Sequence, residues 1–415
     1  MNVKNNMKKN NDTRRVCVVI TARPSYSRIK TALRAIDEHP DLELQLVVAA
    51  SALLDRYGSA IKYIEEDGFE IVEKVYMVLE GETPVNMAKT TGLGLIELAT
   101  SLYNLQPDFV VSVADRYETI ATAIAAAYMN IPLVHIQGGE ITGSIDEKVR
   151  HAVTKLADYH LVSTNKACEH VIKMGEDPGA VFVTGCPSID IAAEVLKNPE
   201  VDFDPIERYG GVGPHVDYSN GYIVVLQHPD TTEHERAREQ ATETLQAMTE
   251  LGMPTMWFWP NVDAGSDGTS KAIRSFRENY NPRNIHFFKN MRGTDFLKVL
   301  YKSSGIVGNS SVAIRECSYL GVPAVNIGNR QFGRERGKNV IDVGYRCAEI
   351  RDAVLSLRSN QTVQQDYLYG NGRAGVVIAG LLARLKPRHH KYLRYVHKIH
   401  SDSIILDSYV DKCLG

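Results

Sequence analysis

The stretch from Gly305 to Gly337, GIVGNSSVAIRECSYLGVPAVNIGNRQFGRERG, decides the fold of this chain. Its order of residue types predicts a short apolar strand at 305–307, a tight turn, a helix to about Leu320, and a second strand after Gly321-Val322-Pro323. Strand, helix and strand in this order form a βαβ unit, from which parallel sheets are built. The stretch therefore indicates an α/β protein.

The polar residues of the same stretch suit a nucleotide diphosphate. Ser310 and Ser311 stand where the helix is predicted to begin, and hydroxyl and N–H groups at a helix N-terminus favour a phosphate. Glu316 can accept two ribose hydroxyls, as an acidic residue does in dinucleotide-binding folds. A Gly-rich loop then supplies guanidinium donors suited to a diphosphate: Arg330, Arg334 and Arg336. An ordinary capped helix with a solvated basic loop is the alternative, and the ordered cluster favours the nucleotide site.

Composition limits the class of protein. A chain of 415 residues with 44% hydrophobic and 23% charged residues is expected to form two or three globular domains. A net charge of −3 gives no indication of nucleic-acid binding. The chain has no apolar run of about 18 residues, so no membrane span is predicted. Its six cysteines are scattered without a C-x-x-C pair, which predicts reduced thiols and no metal site.

The chain divides into five predicted segments. Residues 1–14 are polar and basic without the apolar middle of a secretion signal, so we expect a disordered tail and a cytoplasmic protein. Residues 15–187 alternate between strands and helices, which predicts a doubly wound parallel sheet. A connection rich in Pro, Gly, Asp and Tyr covers 188–221, and the alternation restarts over 222–386. The sequence thus predicts two Rossmann-like halves with a cleft between them.

The C-terminal segment, residues 387–415, is predicted to be an amphipathic helix. It carries four histidines, and His-rich tracts can bind metal, but no acidic or cysteine partner is interleaved at ligand spacing. Apolar residues recur on one side of the predicted helix. We therefore expect this helix to dock on another part of the protein.

The first strand of the chain ends at a candidate ligand-binding position. Residues 15–21 are apolar almost throughout, as in a strand buried on both faces. Arg23 follows, at the edge where open α/β sheets bind ligands. An ordinary surface arginine in a loop is the alternative. No G-x-G-x-x-G follows this strand, which disfavours a nicotinamide cofactor.

Two later strands of the first half end in charged or polar residues. The strand at 107–114 ends in Asp115-Arg116, which suits either catalysis or a salt-bridged cap. The strand at 131–136 ends in Gln137-Gly-Gly-Glu140, where the glycines permit close approach of the backbone to a ligand. The first strand end is therefore a candidate for catalysis, and the second is a candidate for ligand binding.

Acidic residues also begin the helix that follows Glu140. Asp146 and Glu147 fall in its first turn, where the helix dipole alone favours negative charge. A catalytic carboxylate is the competing interpretation. In the second half, strands end in His228 and in the segment Asn261-Val-Asp263, again at the expected ligand-binding edge.

Eight motifs together resemble one family, the hydrolysing UDP-N-acetylglucosamine 2-epimerases of sialic-acid and related biosynthesis. They are ARPSYS, ADRYET, HIQGGEITGSIDEKVRHAVTKLADYH, TGCPSID, QHPDTT, PNVDAGS, GNSSVAIRE and GNRQFGRERG, and the resemblance covers about residues 15–385. It implies the two-domain GT-B fold, with UDP in the cleft and mostly on the second domain. It also implies a last helix that crosses back to the first domain, a homodimer, and a UDP-sugar as the only partner, without cofactor or metal.

The resemblance implies roles for individual residues. Those expected to bind substrate are Arg23, Ser27, Arg116, Asn261, Asp263, Phe287, Phe288, Ser310, Ser311, Glu316 and Arg330. Those expected to serve catalysis are Asp115, Asp146, Gln137, His228 and Glu140. The implied reaction eliminates UDP across C1 and C2 to a 2-acetamidoglucal, which water then converts to free N-acetylmannosamine.

Gln137 departs from the family pattern, which often has Glu at this position. An amide cannot deliver a proton as a carboxylic acid does. Either Asp115 and Asp146 suffice, or Glu140 or Glu147 takes over the task, or the substrate differs. A UDP- or GDP-linked 2,4-diacetamido-2,4,6-trideoxy sugar is the alternative substrate that we consider.

Three other functions remain open at this point. The first is a non-hydrolysing 2-epimerase, which keeps the nucleotide on the sugar; the compact GGEITGSIDEKVRH loop favours the hydrolysing branch. The second is a glycosyltransferase on the same fold. The third is a sugar-nucleotide-binding protein without turnover, which the amide of Gln137 keeps open.

Overall fold

The computed structural model describes residues 13–54, 60–79, 83–113, 116–142, 145–230, 233–260, 266–359 and 363–392. Its first half is built on a sheet of seven strands that pair in parallel, in the order β3-β2-β1-β4-β5-β6-β7. The strands are β1 Arg14–Ile20, β2 Leu42–Ala49, β3 Ile71–Val75, β4 Phe109–Val113, β5 Leu133–Ile136, β6 Tyr159–Val162 and β7 Val181–Val183. Central strands such as β4 are buried at every residue, because helices cover both faces.

Helices connect these strands and cover the two faces of the first sheet. They are α1 Arg23–Asp37, α2 Ala60–Glu66, α3 Pro84–Leu105, α4 Thr119–Tyr128, α5 Ile145–Leu156 and α6 Asn165–Lys173. Helix α7, Pro187–Lys197, follows β7, and its buried residues Ile189, Ala192 and Val195 belong to the core of the second half. Helix α1 begins at Arg23, shortly after the first strand, because Pro24 in its first turn suits a helix N-terminus. Arg23 and Ser27 are therefore held on the first turns of a regular helix.

The second half repeats the architecture with six strands in the order β10-β9-β8-β11-β12-β13, again paired in parallel. The strands are β8 Ile223–Leu226, β9 Thr255–Phe258, β10 Ile285–Phe288, β11 Gly305–Gly308, β12 Ala324–Ile327 and β13 Val340–Val343. The helices are α8 Pro205–Tyr209, α9 Ala237–Leu251, α10 Ser266–Tyr280, α11 Gly293–Lys302, α12 Glu316–Leu320, α13 Cys347–Ser359 and α14 Ala374–Arg384. The prediction of two doubly wound α/β halves is confirmed.

Helix α14 crosses from the second half to the first. It packs on α1, and its Ile378 and Leu382 belong to the core of the first sheet. This helix falls within the range 222–386 that the sequence interpretation gave to the second domain. The helix predicted over 387–415 is not seen in its described part, 387–392, and residues 393–415 lie outside the described residues.

The chain after α14 is attached to the first half by polar contacts. Tyr159 donates a hydrogen bond to the carbonyl of Lys386 over 2.8 Å. Lys391 forms an ion pair of 2.6 Å with the buried carboxylate of Glu176. These contacts place the end of the described chain against the edge of the first sheet. None of the helices that the structure describes is long and apolar enough to cross a membrane.

Candidate active site

A cavity of about 2540 Å³ lies between the two halves. The residues that line it follow strands of both sheets, because parallel strands bring all their carboxyl ends to one edge. Eleven residues predicted for substrate binding or catalysis line this cavity: Arg23, Ser27, Arg116, Asp146, His228, Phe287, Ser310, Ser311, Glu316, Arg330 and Arg334. Chain segments far apart in sequence thus meet around one space.

The other predicted site residues do not line the cavity or are not described. Gln137, Glu140 and Phe288 are buried elsewhere. The side chain of Phe288 stacks on Phe258, with ring centroids 5.5 Å apart, inside the core of the second half. Asp115, Asn261 and Asp263 lie outside the described residues.

Asn309 ties together two strand ends on the nucleotide side of the cavity. Its Oδ1 accepts from the backbone N–H of His228 over 2.7 Å, and its Nδ2 donates to the backbone carbonyl of His228 over 2.8 Å. Gly308, with φ of 140°, lets β11 approach β8 closely, since a Cβ there would lie 2.1 Å from the carbonyl oxygen of Leu226. Sequence reasoning missed the role of Asn309, which fixes Ser310 and His228 relative to each other.

The Ser310-Ser311 turn differs from the prediction of one continuous helix. A single 3₁₀ turn covers Ser311–Ala313, capped by Ser310 Oγ, which accepts from the N–H of Val312 over 3.4 Å, and α12 follows separately. So short a turn has little dipole, because the dipole of a helix sums over its aligned peptides. Any attraction of the turn for an anion therefore comes from its two hydroxyls and its backbone N–H groups rather than from a helix dipole.

Glu316 presents an open acceptor to the same region. It lines the cavity, and its Oε2 is buried without a hydrogen-bond partner among the described residues. An unpaired carboxylate oxygen at a buried position is costly unless a ligand supplies donors. A ribose diol supplies two such donors, so the geometry agrees with the predicted role.

The loop between β12 and β13, residues 328–339 and hereafter the arginine loop, is braced against the Asn309 turn. Arg330 Nη1 donates to the carbonyl of Asn309 over 3.1 Å, and Gln331 Nε2 donates to the same oxygen over 3.0 Å. Arg336 donates back to the carbonyl of Arg334 over 2.6 Å within the loop. The loop therefore keeps Arg330 beside the serine turn.

Arg23 bridges the cavity from the first half. Its Nη2 donates to Oδ1 of Asn290, which follows β10 in the second half, and its guanidinium lies 5.6 Å from the ring centroid of Tyr63. The Nδ2 of Asn290 donates to the Tyr63 hydroxyl over 3.2 Å. Burial lowers the pKa of Arg23 from its ordinary value. Asn290 and Tyr63 give no recognisable signal in the sequence alone.

The first half contributes the acidic wall of the cavity. Asp146 lies in the first turn of α5 and lines the cavity. Arg116 lines it as well and donates from Nε to Oε1 of Glu118 over 2.9 Å. Glu118 is 1% exposed, lines the cavity, and its Oε2 has no hydrogen-bond partner among the described residues. Sequence reasoning missed Glu118, although it stands two residues after Arg116 in the ADRYET motif.

Gln137 turns away from the cavity. It has a positive φ of 67°, and its Nε2 donates to Cys186 Sγ over 2.9 Å. Cys186 Sγ in turn lies 3.0 Å from the hydroxyl of Ser188, which lines the cavity. Burial raises the pKa of the Cys186 thiol, so the sulfur stays neutral. The amide is thus held by a neutral chain that reaches the cavity only at Ser188.

Glu140 is bound in a buried ion cluster. Its carboxylate contacts the guanidinium of Arg315, lies 3.6 Å from Nη2 of Arg334, and accepts from Ser163 Oγ over 3.1 Å. Burial by itself would raise the pKa of Glu140, but the guanidiniums of Arg315, Arg334 and Arg150 lower it to about 2. Glu140 therefore remains ionised at neutral pH and is unsuited to deliver a proton.

Glu147 is the other residue that could replace a carboxylate at position 137, but its side chain is bonded to neighbouring residues. Its Oε2 accepts from the backbone N–H of Thr142 over 2.6 Å and pairs with Arg150 over 3.0 Å. It does not line the cavity. Across the part of the chain that the structure describes, no three His, Cys, Asp or Glu side chains are grouped so that they could hold a metal ion.

Two parallel sheets with a cavity between them define a protein of the GT-B-like class. The model of the UDP-N-acetylglucosamine 2-epimerase family matches residues 34–383, and the chain belongs to this family. The class of reaction is therefore 2-epimerisation of a UDP-linked sugar. The predicted family resemblance is confirmed.

Several characterised relatives cover most of the chain. It is 29% identical over 380 residues to a UDP-N,N'-diacetylbacillosamine 2-epimerase (hydrolyzing) of Legionella pneumophila, spanning 92% of this chain and 98% of that one. It is 32% identical over 333 residues to polysialic acid biosynthesis protein P7 of Escherichia coli, and the match covers 80% of this chain and 82% of that one. The crystal structure of the Neisseria meningitidis UDP-GlcNAc 2-epimerase bound to UDP-GlcNAc has a TM-score of 0.74 at 17% identity, covering 89% of this chain and 100% of that one. This last likeness confirms the GT-B-like fold.

Proposed function

We propose that the protein is a hydrolysing 2-epimerase that converts UDP-N-acetylglucosamine to UDP and N-acetylmannosamine. The observation that carries the proposal is the composition of one cavity. Its second-half wall has the donors and acceptor for a nucleotide diphosphate, Ser310, Ser311, Arg330 and Glu316. Its first-half wall has the carboxylate of Asp146. A leaving nucleotide and a proton-transfer group are what the reaction requires.

The proposed nucleotide position follows from chemistry. Glu316 would accept the ribose hydroxyls at its unpartnered Oε2. The hydroxyls of Ser310 and Ser311 and the guanidiniums of Arg330 and Arg23 would bind the diphosphate. Negative charge grows on that group as its bond to C1 breaks, so donors there stabilise the transition state. Phe287, which lines the cavity, is proposed to contact the uracil.

The proton transfers are proposed for the carboxylates of the first half. A base removes the proton from C2, its electron pair forms the C1–C2 double bond, and the C1–O bond breaks to release UDP. Water then adds its oxygen to C1, while an acid delivers a proton to the opposite face of C2. Asp146 is proposed as one of these two groups and Asp115 as the other. His228, on the opposite rim of the cavity, is proposed to assist departure of the diphosphate.

A proton NMR time course with UDP-N-acetylglucosamine in heavy water tests the proposal. We expect free N-acetylmannosamine and UDP, with deuterium at C2 of the sugar. Formation of a UDP-linked manno sugar would instead mean a non-hydrolysing epimerase. Transfer only to an added acceptor would mean a glycosyltransferase, and binding of UDP without turnover of any donor would mean a binding protein.

A UDP- or GDP-linked 2,4-diacetamido-2,4,6-trideoxy sugar is the second candidate substrate. One observation favours it, the similarity to the Legionella relative named for such a substrate. The same time course with both donors, on the native protein and Gln137→Glu, decides between them. Because Gln137 does not line the cavity, we expect the substitution to change turnover of UDP-N-acetylglucosamine by less than about tenfold. A larger increase would mean that the amide only lowers efficiency.

A homodimer is also proposed, on the basis of the family resemblance. One surface of the first half suits a second copy: Val85, Ile96 and Tyr103 are exposed on one face of α3. Two-fold pairing would bring the same face of both copies together. A monomer mass by light scattering at micromolar concentration would overturn this proposal.

A further inference from the structure

Glu140 is a carboxylate of the first half that lies between two arginines of the second half. It follows β5, whereas Arg315 directly precedes α12 and Arg334 belongs to the arginine loop. All three residues are nine-tenths or more buried. The ion cluster therefore joins the two halves through the protein interior, at the side of the cavity where the nucleotide groups lie.

The cluster has more positive than negative charge. Arg334 Nε and Nη1 and Arg315 Nε have no hydrogen-bond partner among the described residues, although they are buried. Burial and the neighbouring guanidinium of Arg315 lower the pKa of Arg334 to about 10. Two buried cations thus depend on one shared carboxylate, and Glu140 is what keeps them side by side.

Both arginines lie close in sequence to residues proposed to bind the nucleotide. Arg315 is the residue before Glu316, so a shift of its guanidinium moves the backbone that carries the ribose acceptor. Arg334 stands four residues after Arg330 in the arginine loop. The loop also meets the first half at Gly333, where an added Cβ would lie 2.7 Å from Ile141, and at Glu335, which accepts from Thr164 Oγ1.

We propose that Glu140 is a positioning residue for the nucleotide site: it holds Arg315 and the arginine loop against the first half and so keeps Glu316 and Arg330 in place for UDP. The inference rests on the proposed function for the nature of the ligand. It removes Glu140 from the acid–base set and gives it a role in substrate affinity. Loss of its charge leaves two buried like charges that repel, which displaces the groups around the nucleotide.

Calorimetric titration of the full chain with UDP tests the proposal without requiring turnover. We expect Glu140→Gln to weaken UDP binding at least tenfold at an unchanged stoichiometry, and Glu140→Asp to recover part of the loss. Glu176→Gln is the matched control, because Glu176 is equally buried in the first half but pairs with His160 and Lys155 away from the cavity. It should leave the UDP affinity within twofold.

Other results would overturn the positioning role. If UDP affinity is unchanged while kcat falls and one limb of the pH–rate profile disappears, Glu140 is an acid–base group. Unchanged affinity with a reduced number of binding sites would mean that Glu140 only stabilises the fold. If Glu140→Gln does not fold, Glu140→Asp decides, since its shorter side chain keeps the charge but draws the carboxylate back from Arg315 and Arg334; an affinity equal to that of the native protein then contradicts the proposal. If the native protein turns over no UDP-sugar, the proposed function is refuted. The UDP titration would still test the positioning role, because it measures binding alone.

Discussion

Replacement of Asp146 by Asn is expected to lower kcat by about 10²- to 10⁴-fold, the usual contribution of a positioned acid or base. The amide keeps the shape of the side chain but cannot accept or deliver the proton that C2 exchanges. Asp146 lines the cavity on the first-half wall, opposite the nucleotide groups. UDP affinity should therefore change little, because Asp146 is not among the groups proposed to bind the diphosphate and the ribose.

Asp267→Asn is the control for this substitution. Asp267 occupies the same place in a helix, the first turn of α10, but is exposed and does not line the cavity. Both substitutions remove a charge that the helix dipole favours, which costs about 0.3–1 kcal/mol of stability. Only Asp146→Asn should affect kcat. A decrease of less than about tenfold, with C2 exchange still occurring in heavy water, would exclude Asp146 from the proton transfers.

The main features of the fold could be predicted from local patterns. Continuous apolar runs such as Phe109–Val113 predict strands buried on both faces, and the structure has parallel strands there. The turn at Gly308 was also predictable, since glycine before Asn-Ser-Ser marks a sharp bend. The division of the following helix into a 3₁₀ turn and α12 was not, because no glycine or proline interrupts residues 311–320 to mark the break.

The candidate site was only partly predictable, because its supporting contacts join distant segments. In the sequence, Glu140 is interpreted as a catalytic acid because it follows two glycines. Its partners Arg315 and Arg334 come from the other half of the chain, so no local pattern indicates the ion cluster. Gln137 reads as a cavity residue, but its positive φ turns the amide toward Cys186. Backbone conformation of a single non-glycine residue has no reliable sequence signal.

Buried carboxylates with low pKa values make the stability of the protein sensitive to acid. The pKa of Glu140 is lowered from 4.5 to about 2 by the guanidiniums around it, which outweigh its burial. The pKa of Glu176 is likewise lowered from 4.5 to about 2, because hydrogen bonds from His160, Lys155 and Lys391 outweigh burial. A carboxyl whose pKa is lower in the folded state stabilises the fold above its unfolded pKa, and loses that contribution as pH falls toward the folded value.

The free energy of unfolding should therefore fall steeply between pH 4.5 and about 2. At about 1.36 kcal/mol per pKa unit, each of the two residues contributes on the order of 3 kcal/mol, and more than half of that is lost by pH 3. Urea denaturation followed by circular dichroism at pH 7, 5, 4 and 3 measures the loss. Glu176→Gln should be less stable than the native protein at pH 7 and should have a flatter acid limb, because its amide has no proton to gain.

Protonation of Glu140 and protonation of Glu176 should weaken different contacts in the protein. Glu140 joins the two halves, whereas Glu176 holds Lys391 and with it the chain that follows α14. Protonation of Glu140 should therefore weaken UDP binding in the same pH range in which stability falls, and this effect should persist in Glu176→Gln. A native protein whose unfolding free energy changes by less than about 1 kcal/mol between pH 7 and pH 3 would contradict both low pKa values, since either one alone predicts a larger loss.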